Sequence, residues 1–295
     1  MSPSHNPHQA RAMLTMLVAV AMFAMMDAAL KQLSTHYPPF QVASLRGAAS
    51  LPLVLVWALA TGGVATLFRV RWSLHLLRGV LGVAMMATFI YAVSKLPLST
   101  TYSVFFVAPL LITALSVPVL GEKVGPRRWT AIAVGLIGVL VLLRPTGEGM
   151  ISLAALAVLV AAVMYAISAI TVRVLARTDS TQSMMVWLMV MIAIGAGVLA
   201  WPEWVPIRRE DLWLIAGIGV AGALGQYAIT EAFRLGEASA IAPLEYTALV
   251  WGVLFDLTFW GVLPDAITWI GAAIIVVSGL YLIRRERVHV EAEHP

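Results

Sequence analysis

Residues 151–172, ISLAALAVLVAAVMYAISAITV, contain no Asp, Glu, Lys or Arg and are long enough to cross a lipid bilayer as one helix. A hydrocarbon core about 30 Å thick is spanned by about 20 helical residues that each rise ~1.5 Å. Stretches of this kind fill most of the 295-residue chain, which is 61% hydrophobic and 12% charged. Because a soluble domain cannot hide so much apolar surface, the sequence predicts an integral membrane protein.

The composition and the apolar stretches predict an all-α membrane protein with ten transmembrane helices joined by short connections. Gly and Pro occur inside the stretches as well as between them, as helical membrane proteins tolerate. Residues 1–12 are polar and precede no small-residue cleavage site, which favours an uncleaved first span over a signal peptide. The predicted spans are 13–33, 40–61, 77–96, 98–120, 129–144, 151–172, 182–201, 212–233, 238–260 and 265–283.

Lys and Arg are distributed unequally over the predicted connections. With the N-terminus inside, the inner side receives Arg11, Arg69, Arg71, Arg78, Lys123, Arg127, Arg128, Arg173, Arg177, Arg234, Arg284, Arg285 and Arg287. The outer side receives Lys31, Lys95, Arg144, Arg208 and Arg209, and Arg46 lies within the second span. This bias predicts a multi-pass membrane protein with both termini in the cytoplasm. The net charge of +4 is thereby explained without a nucleic-acid partner.

Two passages of the chain are alike. The sequence YAVSK at 91–95 is followed by APL at 108–110, and YAITE at 227–231 is followed by APL at 242–244. Each passage lies in a half of five predicted spans. Because five is odd, the second half enters the membrane in the opposite sense, which predicts an inverted-topology repeat.

The predicted repeats are residues 1–148, with spans 1–5, and residues 149–295, with spans 6–10. Two inverted copies enclose a central site that opens to either side when one packing arrangement exchanges for its mirror image. The sequence therefore favours a transporter that works by alternating access. A duplication that serves only stability is the alternative.

The chain resembles the drug/metabolite transporter superfamily, and within it the EamA family. The resemblance rests on the ten spans in two halves, each with an aromatic-Ala-x-[Ser/Thr] stretch and then APL, and on LGEK at 120–123, which is similar to the family's Gly-Glu turn. The second half departs, since WGV at 260–262 lacks the acid and Asp265 follows only later. Overall the chain is most similar to bacterial aromatic amino-acid exporters of the YddG type. The resemblance implies export of amino acids, aromatic ones included, or of related small metabolites across a bacterial cytoplasmic (inner) membrane.

Polar and aromatic residues of spans 3, 4, 8 and 9 are predicted to line the central cavity. A surface that mixes tyrosine hydroxyls, small polar groups and aromatic rings suits a small amphipathic solute. Tyr and Trp also form interfacial belts, which is the alternative for several of them. The predicted substrate-binding residues are Tyr91, Ser94, Lys95, Tyr102, Gln226, Tyr227, Thr230, Glu245, Tyr246 and Trp251.

Charged residues within the spans are candidates for gates or for ion coupling, since a charge at the bilayer centre costs about 2.5–3.5 kcal/mol on insertion scales. Asp27 and Lys31 are spaced to pair along one helix, and Lys95 and Glu231 are interpreted as equivalents in the two halves. An outer network is predicted from Asp27, Lys31, Arg46 and Lys95, and an inner one from Glu231, Glu237, Glu245, Arg173 and Arg234. For Lys31, Lys95, Arg173 and Arg234, snorkelling to the headgroups is the alternative. The gate or coupling candidates are Asp27, Lys31, Arg46 and Glu231.

Other classes of function are less well supported. Asp27 and Asp256 place one acid in each half, as in an intramembrane aspartyl protease, but neither is flanked by glycine. The six histidines lie in termini or connections and the chain has no cysteine, so neither a Ser-His pair nor a metal site is predicted, and no cofactor. A passive channel remains an alternative to a carrier. The predicted partners are a small-molecule substrate and lipid, with the protein a monomer or homodimer in which spans 5 and 10 form scaffold or dimer faces.

Overall fold

A computed structural model describes residues 7–121, 125–143, 152–235 and 242–293, and within these ranges all regular structure is helical. The α-helices are α1 (Pro7–Leu33), α2 (Pro39–Gly62), α3 (Ala65–Phe68), α4 (Trp72–Lys95), α5 (Leu98–Phe105), α6 (Ala108–Leu120), α7 (Pro126–Leu143), α8 (Leu153–Leu175), α9 (Thr181–Ala200), α10 (Leu212–Leu235), α11 (Ala248–Trp260) and α12 (Ala266–Glu293). Short 3₁₀ turns occur at Trp201–Glu203, Arg209–Asp211 and Ala242–Thr247.

Several helical stretches are long and apolar enough to cross a membrane. They are Arg11–Leu33, Pro39–Gly62, Trp72–Lys95, Leu98–Leu120, Leu153–Leu175, Thr181–Glu203 and Arg209–Ile229. Two shorter apolar helices, Trp129–Val141 and Ala266–Ser278, coincide with predicted spans 5 and 10. The all-helical, multi-pass class is confirmed. The number of ten spans stays a prediction, because these two helices are short and predicted span 9 begins outside the described residues.

Predicted span 4 is two helices rather than one. Helix α5 ends at Phe105 and α6 begins at Ala108, with Pro109 in its first turn. Proline lacks the amide hydrogen and clashes with the carbonyl four residues earlier, so the first turn of a helix accepts it at the lowest cost. In the second half, α11 likewise follows a non-α segment, the 3₁₀ turn Ala242–Thr247. Each half thus has a helix break at the same place in its element order.

The contacts between the two halves are symmetric. Helix α1 packs on α10 and α8 packs on α4, while α2 packs on α10 and α9 packs on α4. Three further pairs join corresponding helices of the two halves: α2 with α9, α5 with α11, and α7 with α12. Exchanging the halves therefore maps this set of contacts onto itself.

Helices α2 and α9 run antiparallel. At one end, Gln182 at the start of α9 donates to Thr61 near the end of α2 (3.1 Å). At the other end, the amide of Gln41 exchanges two hydrogen bonds with the backbone of Val205, at 2.6 and 2.9 Å. Two corresponding helices that contact in opposite directions are what an inverted repeat requires.

Glycines fix the register between the halves. A Cβ on Gly79 or Gly82 of α4 would meet Met191 or Leu188 of α9, and a Cβ on Gly219 or Gly222 of α10 would meet Ala49 or Ser50 of α2. Gly79 therefore corresponds to Gly219 and Gly82 to Gly222, with the same offset in sequence number for both pairs. The same offset relates Gly121 to Gly261, which end α6 and α11 in the left-handed conformation with φ of 72° and 65°.

This register corrects the predicted equivalence of Lys95 and Glu231. In the structure Glu231 corresponds to Tyr91, and Lys95 corresponds to the last residue of α10. The likeness of YAVSK to YAITE is displaced by about one helical turn, which preserves the helix face. The two APL sequences are displaced as well: Pro109 follows the helix break and Pro243 precedes α11.

Candidate functional site

A group of buried charges joins α1, α2 and α5. Asp27, in the membrane-spanning part of α1, is 8% exposed and accepts a hydrogen bond from the hydroxyl of Tyr102 at 2.9 Å. Arg46 of α2 is 7% exposed, interacts electrostatically with Asp27, and donates from Nε to the sulfur of Met26 at 3.3 Å. Buried charges are retained where they are paired or have a function. Three predicted residues, Asp27, Arg46 and Tyr102, are therefore brought together.

Aromatic rings surround the helix breaks next to this group. Phe106, which follows α5, packs edge-on against Tyr246 with ring centroids 5.0 Å apart. Phe105 packs against Tyr165 of α8 at 5.4 Å and against Phe89 of α4 at 5.8 Å. Phe106 and Tyr246 are counterparts in the register of the two halves, so each contacts its own equivalent. That contact puts them at the centre of the arrangement.

Glu245 precedes Tyr246 in the 3₁₀ turn before α11. We call the region formed by these rings and buried charges the junction; its residues are Asp27, Arg46, Tyr102, Phe105, Phe106, Tyr165, Glu245 and Tyr246. The carboxyl group of Glu245 is partly buried and interacts electrostatically with the hydroxyls of Tyr165 and Tyr246. With the residues that the structure describes, the Glu245 side chain forms no hydrogen bond and no ion pair. The hydroxyl of Tyr246 is buried and also has no hydrogen-bond partner there. Two predicted residues thus present unused polar groups inside the protein.

Asp256 holds the start of α5. It is fully buried and accepts from the backbone amides of Leu98 (2.9 Å) and Ser99 (2.8 Å) and from the Ser99 hydroxyl (2.7 Å). No residue on α5 itself caps that helix, and Pro97 precedes it. An aspartate on α11 therefore supplies the N-cap that α5 lacks. Sequence reasoning considered Asp256 only as a protease residue; the signal for its role was an acid in an otherwise apolar stretch.

Lys31 is bound to this cap rather than to Asp27. Its ammonium donates to the carbonyl of Leu96 at 2.7 Å, lies 3.7 Å from Oδ1 of Asp256, and sits 4.7 Å from the ring centroid of Trp260. The predicted Asp27–Lys31 pair is wrong, because the long lysine side chain reaches the α4–α5 connection and finds a carbonyl, a carboxylate and a ring there. We call Lys31, Leu96, Asp256 and Trp260 the Lys31 latch.

The α4 residues predicted to bind substrate do not all face the junction. Tyr91 is partly buried in the cluster that includes Tyr102, Phe106 and Tyr246. The Ser94 hydroxyl donates to the carbonyl of Tyr91 at 2.7 Å, within the helix. Lys95 is exposed at the end of α4 and is not part of the Lys31 latch. The predicted outer network therefore loses Lys95.

The remaining substrate-binding and gate candidates of the second half lie on α10 and α11. Tyr227 is 45% exposed and packs edge-on against Trp57 of α2 at 5.8 Å. Gln226 and Glu231 are partly buried on the same helix. Trp251 packs beside Phe255 of α11 at 5.9 Å. The side chains of Thr230 and Arg234 and all of Glu237 lie outside the described residues. The substrate-binding role of this set stays a prediction.

Two connections are tied to helices of the opposite half. Asp179, between α8 and α9, accepts from His75 (2.9 Å) and from the backbone amide of Arg71 (2.9 Å) at the start of α4. Burial raises the pKa of Asp179, but the hydrogen bonds from Thr178, Arg71 and His75 outweigh it and hold the pKa below its usual value.

In the corresponding place, Tyr37 between α1 and α2 donates to Asp211 before α10 at 2.6 Å. Each hairpin of two helices is thus fastened to one helix of the other half.

A groove of about 330 Å³ between α7 and α12 is not part of the candidate site. Two of the hydroxyls within it donate to carbonyls of their own helices, Thr130 to Pro126 and Ser278 to Ile275. The lining residues are Thr130, Ala131, Val134, Val277, Ser278 and Tyr281. Because the hydroxyls of Thr130 and Ser278 are already engaged and Ala131, Val134 and Val277 are apolar, we interpret the groove as a packing surface.

The fold and the buried polar groups define a multi-pass helical membrane protein whose two halves pack alike around a charged and aromatic junction. A sequence profile of the EamA-like transporter family matches the chain twice, over residues 10–144 and 152–285. The chain belongs to the EamA-like transporter family. The resemblance to the drug/metabolite transporter superfamily is thereby confirmed.

Characterised relatives cover nearly the whole chain. A riboflavin transporter of Vibrio cholerae serotype O1 is 31% identical over 290 residues, 97% of this chain and 96% of that protein. An S-adenosylmethionine uptake transporter of Rickettsia conorii is 30% identical over 91% of this chain and 90% of its own. A pseudopaline exporter, CntI, of Pseudomonas aeruginosa is 26% identical over 90% and 93%. The chain is therefore a membrane transporter and not an enzyme.

A solved crystal structure shares the fold. It superposes with a TM-score of 0.64 at 21% identity and covers 94% of this chain and 99% of that chain. At this identity the likeness concerns the fold alone. The relatives above carry several transported compounds in their names, and none is an aromatic amino-acid exporter, so the narrower resemblance to the YddG type is not established by them.

Proposed function

We propose that the protein exports amino acids and related small amphipathic metabolites across a bacterial inner membrane by alternating access. The observation that carries the proposal is the junction itself: the buried charges of Asp27 and Arg46 and the partly buried carboxyl group of Glu245 lie beside aromatic rings, between the helix breaks of the two halves. Apolar and aromatic walls with a few convergent polar groups are typical of small-molecule sites. The preference for amino acids, aromatic ones included, comes from the resemblance to YddG-type exporters.

The relatives differ in the direction of transport that their names state. Among the relatives, one is named as an exporter and another as an uptake transporter. The proposed direction, export, comes from the resemblance to YddG-type exporters, as the amino-acid preference does. A passive channel with the same lining residues is the alternative function.

Two inverted repeats, residues 1–148 and 149–295, supply the mechanism in this proposal. The antiparallel contact of α2 with α9 and the common register of the paired glycines support that organisation. The Lys31 latch fastens α1 to the α4–α5 connection and to α11, so it is a candidate gate. Asp27, Arg46 and Glu231 remain the other gate or coupling candidates.

The proposed function is tested by flux into proteoliposomes that contain the purified protein. With L-phenylalanine and a panel of other amino acids, we expect saturable uptake that is accelerated by unlabelled amino acid on the opposite side, because a carrier returns faster when loaded. Unitary currents without saturation would instead indicate a channel. Flux that follows an imposed pH gradient in the absence of a solute gradient would identify proton coupling.

The inverted topology predicts opposite labelling of two equivalent connections. Arg69, between α2 and α4, and Arg209, before α10, are exposed counterparts in the common register. Since the chain has no cysteine, Arg69→Cys and Arg209→Cys each introduce a single thiol. In cells, a membrane-impermeant maleimide is expected to label only the Arg209→Cys variant, and the Arg69→Cys variant only after lysis. Labelling of both from the same side would contradict the inverted repeat and with it the proposed mechanism.

A further inference from the structure

We infer that Glu245, together with the rings of Tyr165, Tyr246 and Phe106, binds the positively charged group of the transported solute. The inference rests on the proposed transport function and identifies the chemistry that this site recognises. It predicts that a protonated amine is required for tight binding. It also assigns a role to Tyr165 and Phe106, which the sequence did not single out.

The first argument is the unused carboxyl group. Asp27 has the Tyr102 hydroxyl and the charge of Arg46, and Asp256 has Lys31 and two backbone amides. Glu245 has no such partner among the residues the structure describes. A carboxylate inside a membrane protein is expensive unless a positive charge accompanies it. The ligand is the source of that charge in this inference.

The second argument is the charge balance of the junction. The Lys31 latch is neutral within itself, because Lys31 and Asp256 offset each other. The remaining described charges at the junction are Asp27, Arg46 and Glu245, which leave one negative charge in excess. A solute with a single ammonium group brings this region to balance, whereas a zwitterion leaves the net charge unchanged and offers its ammonium to Glu245 and its carboxylate to Arg46.

The third argument is the surroundings of Glu245. Cations bind over the faces of aromatic rings within about 6 Å, and desolvation strengthens this attraction. Tyr165 and Tyr246 interact electrostatically with Glu245, and each packs against a phenylalanine of the α5–α6 region. The Tyr246 hydroxyl is buried with no partner among the described residues, which is costly in a protein interior. A bound amino group supplies the missing hydrogen bond.

The test measures binding to the purified protein in detergent, so that it does not depend on flux. The probes are L-phenylalanine, 3-phenylpropionate, which lacks the amine, and phenethylamine, which lacks the carboxylate. From ligand-dependent shifts of the melting temperature, we expect the two amines to bind the wild type about tenfold more tightly than 3-phenylpropionate. In Glu245→Gln that preference is expected to disappear.

Matched variants isolate the interaction. Glu203→Gln changes an exposed glutamate between α9 and α10 and is expected to leave all three affinities unchanged. Tyr165→Phe keeps the ring and is expected to preserve amine binding, whereas Tyr165→Leu weakens it about threefold without affecting 3-phenylpropionate.

The inference is overturned if the wild type shows no preference for the amines, or if Glu245→Gln weakens all three probes equally or none of them. In that case Glu245 acts as a proton carrier or as a packing residue and does not bind the amine. Amine-dependent binding without saturable flux would instead contradict the proposed function and leave this inference standing.

Discussion

Replacing Asp256 with alanine is expected to destabilise the protein by about 3–5 kcal/mol, the cost of removing one member of a buried ion pair. The substitution leaves the Lys31 ammonium without its carboxylate and removes the acceptor for the amides of Leu98 and Ser99. The Ser99 hydroxyl loses its acceptor as well, so four contacts of one fully buried side chain are lost together. The start of α5 then has to find other acceptors in an apolar environment, where water is scarce.

The free energy of unfolding is measured by titrating the purified protein from mild detergent into dodecyl sulfate. Asp265→Ala is the matched control, because Asp265 also caps a helix, accepting from the amide and hydroxyl of Thr268 at 3.0 and 2.6 Å, but is exposed. Its loss is expected to cost about 1 kcal/mol. Equal effects of the two substitutions would show that the buried cap and the Lys31 latch add nothing.

The latch also predicts coupling between its two charged members. Lys31→Met removes the cation and leaves Asp256 with its three α5 hydrogen bonds. The double variant Lys31→Met with Asp256→Asn is therefore expected to lose less unfolding free energy than the two single variants lose in sum. Additive effects would mean that the ion pair between Lys31 and Asp256 contributes no energy.

Gly219→Ala is expected to destabilise the protein by about 2–3 kcal/mol, since overpacked sites force the backbone apart. A Cβ at this position would lie 2.5 Å from the carbonyl oxygen of Ala49 and 2.8 Å from its carbonyl carbon. Because both atoms belong to the α2 backbone, no side-chain rotation relieves the clash. Helix α10 must move away from α2, and transport is expected to fall with it.

Gly217→Ala on the same helix is the control. A Cβ there has no neighbour within 4 Å, so only the helix propensity changes. Alanine is favoured over glycine in helices by roughly 1 kcal/mol, and this variant is expected to be as stable as the wild type or slightly more stable. Melting temperatures and flux of both variants are compared in the same detergent and lipid. A harmless Gly219→Ala would contradict the close approach of α2 and α10.

The sequence predicted the helical, membrane-spanning class and the transporter family, because both follow from features that persist along the chain. Apolar stretches such as 153–175 were placed within a few residues of their helices, since a helix in lipid must bury its own backbone polar groups. The break in span 4 was missed as a boundary, although Pro109 marked it. A proline in the sequence indicates that one backbone hydrogen bond of the helix is lost. It does not indicate whether the helix bends or divides into two.

The candidate site was predicted in part. Asp27, Arg46, Tyr102, Glu245 and Tyr246 were singled out because charged and hydroxyl groups inside apolar spans are costly and need a reason. Their partners were not predicted. Asp27 and Lys31 are one turn apart and compatible in charge, yet the lysine reaches the α4–α5 connection instead. Spacing along one helix states which pairs are possible, and neighbouring helices decide which pair forms.

By itself, the sequence determined that this chain is a helical membrane transporter in two similar halves, because length, hydropathy and family likeness are properties of the chain alone. Only the tertiary structure decided the register of the halves, the cap that Asp256 places on α5, and the meeting of Phe106 with Tyr246. The alignment of YAVSK with YAITE can be shifted by one helical turn, because the residues then still lie on the same face of the helix. The close contacts between helices do not permit such a shift, since the glycines at 79, 82, 219 and 222 leave room for the opposite helix at one register only.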